Sequence, residues 1–217
     1  MDAGDRWILN DAAGKPMFAW DYYKQHDTKD SLVDEHRLYK TIYDELHRPI
    51  KQWIRINEEN EQLIELFIYG EKINNADQLN LRGQLYQHYD QSGHITHQSF
   101  DFKGNLLEIQ RQLTTEYKAP LIDWKENSPT AKLEEETFTQ ITEYDALNRM
   151  TRLFNWHHGI NSKVAVLEPH YNERGLPAWE ELVVKANKTS GGKGYMEVDN
   201  ISQRTKPISG ITYDAKG

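Results

Sequence analysis

The sequence predicts an all-β protein built from short antiparallel hairpins, and three observations carry that prediction. A turn signature of Asp or Asn, two free positions and Gly, mostly preceded by an aromatic residue, recurs along the chain. The segments between its copies alternate apolar and polar residues, the period of a strand with two different faces. Mean hydropathy of −0.85 with 28% charged residues leaves too little apolar material for the thick interior of a helical bundle, so a thin core is expected.

The two clearest copies are neighbours. Residues 85–96 contain Tyr89-Asp90-Gln91-Ser92-Gly93, and residues 99–106 contain Phe100-Asp101-Phe102-Lys103-Gly104. In each, the Asp side chain opens a type I turn and Gly takes the left-handed conformation that closes it with a bulge. Gly93 and Gly104 are therefore expected at positive φ. The two Asp lie 11 residues apart, room for one short strand between reversals and none for a helical crossover. Looser copies run through Asp11 to Gly14, Tyr43-Asp44 to Arg48, Asn80 to Gly83, Tyr144-Asp145 to Asn148-Arg149, Asn172 to Gly175 and Tyr213-Asp214 to Gly217. Where Gly is missing, His47 and Asn148 take its place, and both types tolerate positive φ.

In order, residues 6–10 and 16–20 flank the first turn as a hairpin with a Trp in each arm. Residues 21–36 are polar and are expected to form a loop insertion with a helical turn near 32–36, strand structure resuming at Arg37. Residues 38–43 and 50–56 bracket the second turn, 57–61 form an acidic tip, and 63–69 form a strand. A short helical turn after residues 74–77 leads to Gly83. Residues 106–113 continue the meander, and residues 118–136, with Pro120, Pro129 and Glu134-Glu135-Glu136, read as the longest insertion. Strands at 138–144 and 150–156 flank Asp145, and His157-His158-Gly159 turns the chain. Residues 164–171 pair with 178–186 around Asn172, and 208–213 form the last strand. A turn ending on Gly217 is half a hairpin, so residues 1–217 are expected to be one repeat region within a longer array.

Composition excludes several classes of partner. A net charge of −8 and a pI near 5.6 argue against nucleic acid and anionic membrane surfaces. No cysteine is present, so the fold stands on packing alone. No run of 18 apolar residues exists, and residues 1–6 lack the apolar stretch of a signal peptide, so membrane insertion by this segment is not expected.

The Tyr-Asp-x-x-Gly/Asn-Arg signature resembles the RHS, or YD-repeat, proteins of bacteria and the related teneurins. It is closer still to the repeat region of insecticidal toxin complex B-type components. The segments carrying the resemblance are residues 5–9 with Gly14-Lys15-Pro16, residues 43–49, 80–86, 100–107 and 144–149, spread over nearly all of the chain. Phe100 stands where the family's pattern has Tyr. The resemblance implies repeats wound as one continuous curled sheet into a hollow shell, which holds a toxic polypeptide apart from its surroundings until delivery. It also implies a secreted, extracellular assembly, with the remainder of the shell, the enclosed polypeptide and other toxin complex subunits as partners. The physics is compatible, because a two-faced hairpin cannot bury itself alone and must stack edge to edge on its neighbours.

Candidate chemistry gives way to structural readings. A turn-forming role explains the Tyr and Asp of all copies at once. His157 and His158 are adjacent and point to opposite strand faces, without metal-ligand spacing. Residues 190–194 resemble a phosphate loop only in composition, and Glu134-Glu135-Glu136 reads as a solvated tip or first helical turn. No catalytic residue, cofactor or metal site is expected. Six Trp and twelve Tyr keep a second function open, an extracellular module binding glycan or a partner protein through exposed aromatic rings. The isolated chain is also expected to self-associate through uncovered strand edges.

Overall fold

A computed structural model describes residues 4–26, 32–119, 121–125, 132–158, 162–187 and 203–214, with the side chains of 23–26, 32, 33, 187 and 203 left undescribed. Because successive segments alternate apolar and polar residues and are joined by tight turns, each strand pairs with the one that follows it. The result is one antiparallel sheet of 13 strands in strict chain order. They are β1 (Asp5–Asn10), β2 (Pro16–His26), β3 (Leu32–Tyr43), β4 (Pro49–Ile56), β5 (Gln62–Tyr69), β6 (Leu85–Asp90) and β7 (Gly93–Phe100). Then come β8 (Leu106–Thr114), β9 (Leu133–Tyr144), β10 (Met150–His157), β11 (Lys163–Tyr171), β12 (Pro177–Asn187) and β13 (Gln203–Ile208). A single 3-10 turn, Gly70–Lys72, is the one helical element among the described residues.

Four expectations are corrected. Residues 21–36 are not a loop insertion: β2 runs to His26 and β3 starts at Leu32, leaving residues 27–31 outside the described part. Polar strands persist there through cross-strand side-chain contacts. Asp21 receives the Arg6 guanidinium at 2.8 Å, and the Tyr22 ring meets His36 edge to face at 4.4 Å. Glu134, Glu135 and Glu136 lie inside β9 and form neither a tip nor a helical turn, and Glu136 accepts from His158 at 2.9 Å. The final strand is Gln203–Ile208, earlier than expected, and residues 209–214 follow as irregular chain tied back by Ile211 N–H to the Ala178 carbonyl. Finally, the turn at Asp90 differs from its neighbour at Asp101. Both glycines have the expected positive φ, 142 at Gly93 and 86 at Gly104, but the Asp90 turn is a two-residue connection with Gly93 already the first residue of β7. The expected features at Gly159, residues 190–194, Pro120, Pro129 and Gly217 lie outside the described residues.

Two compact units are distinguished by internal packing. The first comprises Met1–Tyr69, Leu85–His94 and Leu113–Glu134; the second comprises Gly70–Gln84, Ile95–Gln112 and Glu135–Gly217. Each has a small core of its own, as a thin-cored sheet requires. In the first, Leu63, Ile122 and Trp124 are buried with Trp53, Leu66, Tyr89 and Leu133 packed against them. In the second, Phe154, Val164, Val166, Val183 and Ala186 are buried beside Ile141.

Candidate functional site, a ladder of stapled turns

Five turns share one hydrogen-bond scheme. In each, the opening Asp or Asn donates its N–H to the carbonyl four residues on, and its own carbonyl accepts from the residue three on. Its side-chain oxygen accepts from the amides two and four residues on. For Asp44 these bonds are N–H to the Arg48 carbonyl at 2.9 Å, His47 N–H to the Asp44 carbonyl at 3.0 Å, and Leu46 and Arg48 N–H to Oδ1 at 2.9 and 2.8 Å. Asp11, Asp101, Asp145 and Asn172 repeat the scheme with every distance between 2.8 and 3.0 Å. The third position after the opening residue must turn left-handed, and it does: Gly14 φ 80, His47 φ 59, Gly104 φ 86, Asn148 φ 62 and Gly175 φ 78. A register shift sits beside four of these turns, the bulge that lets a right-twisted hairpin close.

The fourth position completes the scheme. Arg48 Nε and Arg149 Nε donate to the second carboxylate oxygen of Asp44 and Asp145 at 2.8 and 2.7 Å, and Asn105 Nδ2 does the same for Asp101 at 2.8 Å. Asn172 carries no charge, and the residue four on is Leu176, so charge and counter-charge are lost together. The cation then reaches the next hairpin. Arg48 stacks its guanidinium on the Tyr69 ring at 3.9 Å, Arg149 on Tyr171 at 4.7 Å, and Lys15 holds its ammonium 5.6 Å from the Tyr43 ring centre.

Those tyrosines return the contact. Tyr43 donates its hydroxyl to the Pro16 carbonyl at 2.8 Å and Tyr69 to Pro49 at 3.1 Å. Tyr171 donates to Met150 at 2.8 Å and Tyr213 to Pro177 at 2.7 Å. In all four the acceptor is the first residue of the strand that leaves the preceding turn, or, for Tyr213, of β12. Neighbouring turns also touch directly. The Lys15 ammonium donates to the His47 carbonyl, Lys103 donates to Ala146, and Asn105 Nδ2 donates to Asn148 Oδ1 at 3.0 Å. The unit formed is a staple: Asp fixes its own turn, a cation on that turn covers the next tyrosine, and that tyrosine fastens back.

The sequence-predicted residues do not all belong to staples. Asp11, Gly14, Tyr43, Asp44, Arg48, Asp101, Gly104, Asp145, Asn148, Arg149, Asn172, Gly175 and Tyr213 occupy the positions just described. Gly83, at φ 81, closes a separate turn within residues 70–84, where Gln84 N–H donates to the Leu81 carbonyl at 3.0 Å. Tyr89, Asp90 and Gly93 belong to the two-residue turn; there Asp90 Oδ1 accepts from Ser92 and Gly93 N–H, and Tyr89 stacks on His94 at 4.3 Å. Tyr144 ends β9, Asp214 lies in the irregular chain after β13, and Gly217 lies outside the described part. Lys15, Asn105 and Tyr69 are staple members that the pattern of Tyr, Asp and Gly alone does not pick out. The signal for Lys15 and Asn105 is a donor side chain four residues after the Asp, whereas Tyr69 stands outside any turn signature.

Electrostatics argues against proton-transfer chemistry at these turns. Asp44 and Asp145 are held below the usual carboxylate range, first by the backbone amides of Arg48 and Arg149, with their guanidinium groups adding to it. Asp11 is lowered first by the Lys15 amide. At Asp101 desolvation pushes upward, but the bonds from Asn105 and Lys103 outweigh it, and the net direction is down. A general acid or base working near neutrality needs the opposite shift. Glu143 is raised by burial, with Arg152 opposing and Glu168 reinforcing. It belongs to a cross-strand row in which Arg152 meets Glu168 at 3.0 Å and Arg204 meets Glu181. Among the described residues no three His, Asp or Glu side chains converge as a metal site.

The tryptophans are mostly used in packing. Trp124 is buried, Trp53 packs against the first core, Trp20 stacks on Phe18, and Trp179 lies flat on His170 at 3.5 Å with Lys206 above it. Only Trp7 and Trp156 are exposed, one in each unit, so neither unit presents a row of open indoles.

No protein-family model matches the sequence. Toxin subunit YenC2 of Yersinia entomophaga is 30% identical over 154 residues, 67% of this chain. The chain spans 16% of that relative's length. Among solved structures, TcdB2-TccC3 without its hypervariable C-terminal region matches all of the chain, with a TM-score of 0.69 at 19% identity. TcdB2-TccC3 with Cdc42 gives 0.68, and the Tc holotoxin pore of Photorhabdus luminescens gives 0.66 over 98% of the chain. The chain spans about a tenth of those molecules, 9% to 10%. The sequence relative, the shared sheet and the recurring Tyr-Asp turn together identify the chain as a stretch of the RHS, or YD-repeat, region of toxin-complex proteins.

Proposed function

We propose that this chain is a wall segment of an RHS shell that encloses a toxic polypeptide for delivery, in an extracellular complex with other toxin subunits. The observation that carries the reading is the staple. A wall must hold each hairpin to the next without a deep core, and the Asp, cation and Tyr contacts do this at hairpin after hairpin within each unit. The relatives, named as toxin subunits, support the same reading. Among the described residues the large exposed aromatic side chains are Trp7 and Tyr117 in the first unit and Phe102 and Trp156 in the second, a sparse set for a module that binds through aromatic rings.

Limited proteolysis of the purified parent protein tests this. The wall and a second polypeptide segment within it should both survive protease, and that segment should become cleavable once mild denaturant opens the sheet. Cleavage of every other segment of the native parent at the rate of free peptide would sink the proposal.

A further inference from the structure

β5 has an edge that the strand ladder leaves open. β6 pairs with it from Tyr69↔Leu85 to Leu66↔Tyr89 and then turns back after Asp90, so Leu63 and Ile64 extend past the turn. Both are buried, at 1% and 8% exposure, and buried backbone groups need partners. Gln91 Nε2 donates to the Ile64 carbonyl at 2.8 Å, and residues 121–125, from the excursion between β8 and β9, supply the partners of Leu63. Trp124 N–H donates to the Leu63 carbonyl at 2.8 Å, and Leu63 N–H donates to Asp123 Oδ1 at 3.0 Å. Gln91 clasps Ile122 on both backbone groups: its Oε1 accepts from Ile122 N–H at 2.7 Å and its Nε2 donates to the Ile122 carbonyl at 3.1 Å. The buried Trp124 ring donates to the Asp90 carbonyl at 2.9 Å, and Lys125 reaches the Glu61 carbonyl at 2.7 Å.

The excursion is closed separately at its neck, where Thr115 N–H donates to the Lys132 carbonyl at 2.8 Å. Its ends are thereby held whether or not the tip is seated. We infer that the open edge of β5 is a docking site for a peptide reading apolar, Asp, Trp, Lys, held by one main-chain bond and by side-chain bonds to backbone, which the chain fills with its own residues 122–125. Each position of that code has a counterpart: the Gln91 clasp and first core for Ile122, the Leu63 amide for Asp123, the Asp90 carbonyl for the Trp124 indole, and the Glu61 carbonyl for Lys125. The tip is tethered, so its effective concentration excludes competitors while it is seated. Once it is released, the same segment of a second copy is the ligand that enters. The inference is independent of the shell reading.

The test uses the full chain in two forms, one with Trp124→Ala and one with residues 118–129 replaced by a Gly/Ser linker, each checked for its strand signal by circular dichroism. A fluorescent peptide with the sequence of residues 119–126 should bind both released forms roughly tenfold or more tighter than it binds the unaltered chain. The same peptide with Trp→Ala should not bind. In the unaltered chain, which needs no substitution, the amides of Leu63 and Trp124 should exchange with solvent together, and ahead of the Thr115 amide. Failure of the peptide to bind a folded released form, equal binding by the Trp→Ala peptide, or exchange of neck and tip as one unit overturns the inference.

Discussion

A single carboxylate organises each staple, and its removal should be felt in proportion to what it holds. Asp44 and Asp145 each accept two amide bonds and an arginine, so Asp→Ala at either site should lower the thermal midpoint more than Asp→Asn, which keeps a side-chain oxygen for the amides. Equal midpoints for the two replacements would refute this. The same carboxylates set the acid response. Their pKa values are depressed on folding, so the stability they contribute is complete above the unfolded-state value of about 4 and is lost as pH falls through the lower folded-state values. Denaturant midpoints should therefore drop below about pH 4, and the Asp44→Asn, Asp145→Asn double variant should show a shallower drop than the parent. Tyr171→Phe keeps the ring under Arg149 and loses only the bond to Met150, which should cost about 1 kcal/mol in chemical denaturation.

Among elements, the short excursion through residues 70–84 makes the sharpest demand on a side chain. A Cβ on Gly70 would lie 2.3 Å from the Leu81 carbonyl oxygen, and Leu81 is fully buried, so Gly70→Ala must push backbone apart. About 1 to 3 kcal/mol of destabilisation is expected by urea titration. Gly83→Ala meets open space and suffers only from its left-handed φ of 81, so it should cost about 1 to 2 kcal/mol, and Gly83→Asn less than Gly83→Ala. A Gly70→Ala chain as stable as the parent would mean that the excursion shifts freely. Strand existence and turn positions were legible because Asp, two residues and Gly is local chemistry. Strands β2 and β3 were misread in their polar halves, since Asp21 and Tyr22 look like loop residues until Arg6 and His36 are seen across the ladder. The Asp90 turn looked identical to the Asp101 turn because both share the spacing of Asp, two residues and Gly. Docking of residues 121–125 on β5 spans about 60 residues of sequence, a separation no local pattern encodes.

At the scale of the whole chain, β1 is the first strand of the sheet and every residue in it is exposed, including Trp7, Ile8 and Leu9. An open apolar edge is a template for further pairing. Light scattering of the isolated chain should show dimers or larger species that dissociate when Ile8 is changed to Lys, whereas a monomer at high concentration would show the edge to be silent. The staple also sets how such a chain can lengthen or shorten. Tyr43 and Tyr69 fasten to the hairpin immediately before them, and beyond its own turn each of Lys15 and Arg48 reaches the hairpin immediately after. Excising residues 16–48, from the strand after one turn to the cation of the next, would join Lys15 directly to Pro49 and leave Tyr69 facing Lys15 in place of Arg48. Whole-hairpin cassettes can therefore be spliced in or out of such a sheet in register, whereas a cut that removes an acceptor and spares its tyrosine leaves that ring unfastened.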